Sequence, residues 1–236
     1  MWDFEEGEIL AFDKPLRWTS FDLVAKVRYK LCHKLGRKKL KVGHTGTLDP
    51  LATGVVVICT GKKTKLIDQL QYDVKEYVAT LQLGATTPSF DLEKEVDASY
   101  PTEHITRELI DRVIPEFTGE QWQVPPMFSA VQINGKRAYE LARKGEEVEL
   151  KPKLLVIDEI EILNFDAELM QLTLRIVCSK GTYIRALARD IGQRLGSGAY
   201  LTALRRTRVG TQRVEECWTI ESFLEKLNEY DYVQSK

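Results

Sequence analysis

In the stretch LTLRIVC at 172–178, apolar residues recur at every second position, so Leu172, Leu174, Ile176 and Cys178 share one face. That period marks a half-buried antiparallel strand. Alternating or continuous apolar runs predict further strands at 9–12, 55–60, 76–83, 154–158 and 207–212. Helical spacing predicts helices at 20–35, 106–117, 136–144, 183–195 and 219–227. Ser20 is the expected N-cap of the first. Gly36, Gly145 and Gly196 are expected to close helices, and Gly119 follows the second helix two residues on. Strands and helices are mixed without a regular βαβ rhythm. The expected class is therefore α+β, with a mixed, mainly antiparallel sheet flanked by helices. The segments 85–101 and 121–135 are long for loops of a compact domain, and long ordered loops are often functional.

Composition narrows the classes little. The chain has 236 residues, 43% hydrophobic and 29% charged, enough to bury a core as one large domain or two small ones. A net charge of −1 predicts no general affinity for nucleic acid, so any such binding needs a local patch. MWDFEEGEIL lacks the basic-then-apolar layout of a signal peptide, and no apolar run approaches the roughly 20 residues that span a bilayer. A cytoplasmic protein is expected. It is expected to be a monomer, since no heptad or long apolar helix stands out. Cys32, Cys59, Cys178 and Cys217 form no C-x-x-C pair, and His33, His44 and His104 show no ligand spacing. Neither a metal nor another cofactor is expected.

Three stretches carry candidate chemistry. TGKKT at 60–64 resembles the end of a Walker A motif, but Val56 stands where that motif needs glycine, and the match fails. GHTGTLDPLATG at 43–54 places one acid, Asp49, in a turn-rich loop that runs straight into an apolar strand. Cations are clustered, with Lys26, Arg28, Lys30, Lys34, Arg37, Lys38, Lys39 and Lys41 uninterrupted by an acid, and Arg205, Arg206, Arg208 and Arg213 further on. A solvated helix face is the ordinary reading of such a run. Two patches in a chain of near-zero net charge favour phosphate contacts. In CSKGTYIRALARDIG at 178–192, Thr182 is the expected N-cap, which puts Arg185 in the first turn. A cation there opposes the helix dipole, so the guanidinium needs an anionic partner.

Taken in order, these blocks resemble the TruB-type tRNA pseudouridine(55) synthases. GHTGTLDPLATG matches the family signature. FDKPLRWTS at 12–20, KEYVATLQLG at 75–84, PPMFSAVQINGKRAYELARKG at 125–145, CSKGTYIRALARDIG and LRRTRVG at 204–210 match its other blocks. The resemblance spans about residues 8–212. It implies the pseudouridine synthase catalytic fold and an isomerase, free of cofactors, that converts uridine to pseudouridine in the T-loop of tRNA. By the same resemblance Asp49 is the catalytic carboxylate, acting as nucleophile or as proton acceptor at the ribose. Arg185 pairs with it and holds it ionised. Tyr77 stacks on the target base and takes part in removing the C5 proton, and Tyr183 packs beneath the site. The uridine must be extruded from a folded loop, and His44 fills space left by flipped bases. Lys14, Lys62, Lys65, Arg205 and Arg206 are the phosphate candidates among the cations. The implied partner is the tRNA T-arm stem-loop.

The departures are specific. Arg17 stands where the family usually has glycine, which predicts a modest change in that loop. Val131-Gln132 replaces Leu-Lys, Pro88 replaces an acid and Lys94 a glycine. About two dozen residues follow Gln212, enough for a helix and a tail. The expectation is a single catalytic domain over 1–236, with 213–236 in place of the RNA-binding PUA domain that many members append. Two other readings stay open: the same chemistry on another RNA, and a tRNA-binding folding chaperone.

Overall fold

A computed structural model of the protein describes residues 2–129, 132–133, 136–138 and 150–230. In chain order the elements are β1 (Ile9–Lys14), α1 (Ser20–Lys34), β2 (Val42–His44), β3 (Ala52–Thr60), α2 (Ile67–Leu70), β4 (Lys75–Leu83), β5 (Ala85–Thr86), β6 (Ala98–Ser99) and α3 (Arg107–Val113). There follow β7 (Gly119–Gln123), β8 (Gln132–Ile133), β9 (Lys136–Arg137), β10 (Lys153–Asp166), β11 (Gln171–Cys178), α4 (Ile184–Arg194), β12 (Ala199–Val209), β13 (Gln212–Arg213) and α5 (Ile220–Glu229). The class is α+β with mainly antiparallel pairing, as the apolar pattern predicts. Two compact units are distinguishable: residues 1–76 with 205–236, and residues 77–204.

In the first unit β3 is the central strand. It pairs antiparallel with β1, from Ile9↔Cys59 to Lys14↔Gly54, and with the short β2. The VVVIC run is buried on both faces, which is why it reads as a continuous apolar stretch rather than an alternation. β12 lies on its other side and comes close at Gly54. A Cβ there would sit 2.1 Å from the carbonyl oxygen of Arg206, and φ is +110°, so only glycine fits. The chain ends are held together by aromatic rings. Trp2 lies 5.3 to 5.8 Å from Phe4, Trp218, Phe223 and Tyr230, and Phe223 packs edge-on against Phe12 at 5.1 Å. The strand expected at 207–212 is a correction: β12 ends at Val209, and a turn at Gly210, with φ +56°, starts β13.

In the second unit the strand order is β12, β4, β11, β10, β7. On β4 the buried positions alternate strictly from Lys75 to Leu83. On β11 Leu172, Leu174, Ile176 and Cys178 are buried as the period-two pattern requires. β10 is far longer than the five residues expected. Two register shifts, between Ile157 and Glu159 and between Ile162 and Asn164, reset which face each residue takes. The helix expected at 136–144 is corrected at its start. Lys136–Arg137 is β9, paired with β8, and Asn134-Gly135 between them in sequence is the two-residue hairpin signal. Beyond the helical Ala138, the rest of that expected helix, with Gly145, lies outside the described residues, as does Val131.

The caps differ from expectation in an informative way. Thr19, not Ser20, caps α1, in a capping box with Asp22. Thr182 does not cap α4 either; its hydroxyl donates to the Ser179 carbonyl at 3.0 Å, and Tyr183 is the N-cap residue. The expected C-termini hold. The N–H of Gly36 reaches His33 O and that of Arg37 reaches Cys32 O, and Gly196 and Ser197 repeat the pattern on Gln193 and Gly192. No described helix is long and apolar enough to cross a membrane.

Candidate active site

Several hydrogen bonds fasten the Asp49 loop of the first unit through its backbone. The Ser20 hydroxyl, freed from capping duty by Thr19, accepts from the Leu48 N–H at 2.8 Å and lies 3.3 Å from the Leu48 carbonyl, to which it donates. Thr45 N–H donates to Val57 O at 3.0 Å, and Ala52 N–H donates to the Asp49 carbonyl at 3.0 Å. Arg17 N–H donates to Pro50 O at 2.7 Å, tying the FDKPLRWTS segment to the same loop. Arg17 itself has φ +67°. Here the arginine keeps the left-handed backbone that glycine adopts without strain, which accounts for the glycine usual at this position.

Two of the expected phosphate ligands have other work in this unit. Arg206 is 3% exposed, and its guanidinium donates to Val55 O at 2.7 Å and to Thr47 O and Gly46 O at 3.2 Å each. It fastens the loop, two and three residues before Asp49, to β3. Lys14 has no exposed surface, and its ammonium donates to Trp18 O at 2.6 Å and Pro15 O at 2.9 Å. Burial lowers its pKa from 10.5 to about 8, against the opposing pull of the Asp49 charge. Both cations bind backbone oxygens, a placement that side-chain charge alone cannot reveal.

The remaining candidates here are less enclosed. His44 is half-buried, and its Nδ1 is buried without a hydrogen-bond partner. Burial first, then the Arg206 charge, hold its pKa below the usual value, against a weak upward pull from the Gly46 backbone. Arg205 grips Asp13 at 2.7 and 3.2 Å and donates to the Thr53 hydroxyl at 3.1 Å. Lys62 stands on the surface in an ion pair with Glu6 at 2.6 Å, and Lys65 is exposed nearby in sequence. Lys14, His44 and Arg206 therefore surround the Asp49 loop, while Lys62 stands exposed beside Glu6.

In the second unit Arg185 is 6% exposed. It donates to Phe128 O at 2.9 Å and Ser89 O at 3.2 Å, and its Nε lies 3.6 Å from the Asp91 carboxylate. Asp91 is a functional candidate that the sequence reading passed over; its signal was its place in the LGATTPSFDLEKEV segment. Gln123 is another. Buried at the end of β7, it accepts from the Tyr183 N–H at 2.9 Å and donates to the Tyr183 carbonyl at 3.1 Å. That pair of bonds fixes the peptide that starts α4, and so the base of Arg185. Tyr77 is buried on the inner face of β4. Ser129 Oγ, beside Phe128 in sequence, is buried with no hydrogen-bond partner. Among the described residues no group of three or more His, Cys, Asp or Glu side chains is arranged to hold a metal.

The first unit thus offers one acid on a loop fixed through its backbone, and the second offers one buried arginine held by carbonyls and a carboxylate. Comparison with known proteins agrees. The family model "TruB family pseudouridylate synthase (N terminal domain)" matches residues 33–184, and "tRNA pseudouridylate synthase B C-terminal domain" matches residues 185–235. The chain is 65% identical over 229 residues to a tRNA pseudouridine synthase B of Phocaeicola vulgatus, covering 97% of each chain. It is 50% identical over 226 residues to one of Flavobacterium johnsoniae, covering 95% of this chain and 98% of the relative. Among solved structures, a Cbf5-Nop10-Gar1 complex aligns with TM-score 0.70 at 27% identity, covering 97% of this chain and 58% of that one. An H/ACA RNP bound to a substrate RNA containing 2′-deoxyuridine aligns with TM-score 0.68 at 26% identity, covering 97% and 57%. With the two family models meeting end to end at residues 184 and 185, the chain belongs to the TruB family of pseudouridylate synthases.

Proposed function

We propose that this pseudouridine synthase acts on the T-loop uridine of tRNA, as a cytoplasmic monomer, with Asp49, Tyr77 and Arg185 carrying the chemistry. The near-complete match to relatives named tRNA pseudouridine synthase B supports tRNA as the substrate. The reaction breaks the bond from uracil N1 to ribose C1′, turns the base and joins its C5 to C1′. The C5 proton then leaves, and N1 gains one, so no atoms are lost overall. A carboxylate begins this, either by attack on the sugar or base or by taking a proton from the ribose.

The observation that carries the reading is the fixing of the Asp49 loop. Ser20, Arg206 and Arg17 bond its backbone, so the geometry of the loop that carries the carboxylate is set before the RNA arrives. Tyr77 supplies a ring for the extruded base, and Arg185 a cation already ordered by Phe128, Ser89 and Asp91. His44, with its pKa held down, enters as a neutral ring suited to stacking near flipped bases. Lys62, Arg205 and Tyr183 are proposed to line the RNA path.

The test uses an unmodified tRNA transcript with wild type and Asp49→Asn in parallel, pseudouridine being mapped by carbodiimide labelling and primer extension. One T-loop stop with the wild type only is the expected result. A stop elsewhere keeps the chemistry and overturns the target.

A further inference from the structure

Helix α1 has a filled face and an unfilled one. Ser20, Leu23, Val24, Val27 and Leu31 are buried, while Lys26, Tyr29 and His33 are exposed and Lys30 is half-buried beside them. At spacings of three and four these side chains are surface neighbours. Two aromatic rings stand in water on this helix, Phe21 at 64% exposure and Tyr29 at 66%. Past the turn at Gly36 the chain runs through exposed Lys38, Lys39 and Lys41 into β2 and the Asp49 loop. No acid occurs between Asp22 and Asp49.

Part of this charge is already used. Lys34 donates to Asn228 O at 3.0 Å, and Arg37 pairs with Glu5 at 2.8 Å. Among the described residues no ion pair involves Lys26, Arg28, Lys30, Lys38, Lys39 or Lys41. A row of like charges with no counter-charge repels itself, and in a chain of net charge −1 nothing about solubility requires it. Unpaired lysines alone fit a solvated face. Lysines interleaved with exposed rings fit a polyanion whose bases offer flat surfaces, and that is RNA.

We propose that the outer face of α1, with Lys38, Lys39 and Lys41, is a second RNA-contact surface. It takes backbone phosphates of the substrate tRNA outside the loop that carries the target uridine, and so rests on the tRNA reading above. Lys41 is eight residues before Asp49, at most about 29 Å of extended chain, so one RNA can meet both. Lys14 and Arg206 cannot fill this role, since backbone oxygens already occupy their donors.

The experiment measures tRNA binding in an Asp49→Asn background, with and without Lys26, Lys30, Lys38 and Lys39 all changed to Gln. Four lost phosphate contacts make the slope of log K against log salt shallower by about 3 and weaken binding more than tenfold at low salt. In the active protein the four-lysine variant raises KM and leaves kcat at saturation unchanged. Tyr29→Ala weakens binding several-fold with no change of slope. Four of the five side chains are exposed and Lys30 is half-buried on the outer face, so an unchanged melting temperature is expected and serves as the folding control. Unchanged affinity and slope, with a wild type that does modify tRNA, overturn the proposal. Anionic lipid vesicles, tested alongside, overturn it too if they bind through these lysines while tRNA does not. Failure of the tRNA reading looks different: the wild type itself then forms no pseudouridine in tRNA, and the proposal falls with it.

Discussion

The surroundings of Arg206 in the first unit and of Arg185 in the second use the same residue type in opposite senses. Both guanidiniums are buried and both donate to backbone carbonyls. Arg206 is spent on those oxygens, and its effect is to hold the loop of Asp49 against β3. Arg185 has a carboxylate, Asp91, beside its Nε, and the carbonyls of Ser89 and Phe128 hold the arginine itself. In one place a cation positions a loop, and in the other a loop positions a cation. Burial and charge alone do not distinguish the two; the identity of the bonded atoms does.

Substitution separates them. Arg185→Lys is expected to lower kcat by more than a hundredfold with a small change in melting temperature, because one ammonium cannot span two carbonyls and a carboxylate in the arginine's fork. Steady-state kinetics beside a thermal melt checks this. Arg206→Met removes the donor to the buried Val55 carbonyl and to the part-buried carbonyls of Gly46 and Thr47, the buried one costing on the order of 1 kcal/mol or more, and should lower stability by about 2 kcal/mol in denaturant unfolding. Its activity should fall as well, through a displaced Asp49 loop. If Arg206→Met melts like the wild type and only Arg185→Lys destabilises, the assignment of the two arginines is reversed.

Lys14 sharpens the same contrast through pH. Its pKa is about 8 in the folded protein and 10.5 in the unfolded chain, so between those values the unfolded chain holds the extra proton. Stability therefore rises with pH across that window, by an amount on the order of 2 kcal/mol, and Lys14→Met should flatten the rise. Asp49→Asn removes the charge that supports the ammonium and should move the window to lower pH. Unfolding measured between pH 7 and 10 follows both. The smallest expected effect is at Arg17. Arg17→Gly relieves a left-handed φ and should stabilise the folded loop by about 1 kcal/mol, offset in part by the freer unfolded chain. An unchanged or lower stability would mean that the Arg17 side chain holds the loop by contacts of its own.

Much of the fold was legible because periodicity and burial coincide. The alternation on β4 and β11 and the two helix-closing glycines after α1 and α4 needed no tertiary information. β10 was read too short because its two bulges break the alternation that identifies a strand. The expected caps Ser20 and Thr182 are adjacent to the true N-cap positions, and both hydroxyls are used on other backbone groups. Motif order singled out Asp49, Tyr77 and Arg185, whereas Asp91 and Gln123 were passed over because what they hold, Arg185 and the Tyr183 peptide, is set by contacts across the fold. The basic residues were the least legible group. Lys14, Arg206 and Lys38 look alike along the chain, yet two are buried on carbonyls and one is exposed.

The sequence by itself determined the class, most of the strands and helices, and the family. These depend on spacing and residue type, which a linear chain displays in full. Only the tertiary structure decided which cations bind backbone oxygens and which face water, and that Asp91 stands beside Arg185. Several of these partners are far apart along the chain: Arg205 reaches Asp13 across 192 positions, and Arg206 reaches Val55 across 151. A long flexible side chain finds its partner only after the chain has folded, because desolvation and hydrogen-bond geometry, not neighbouring residues, choose it.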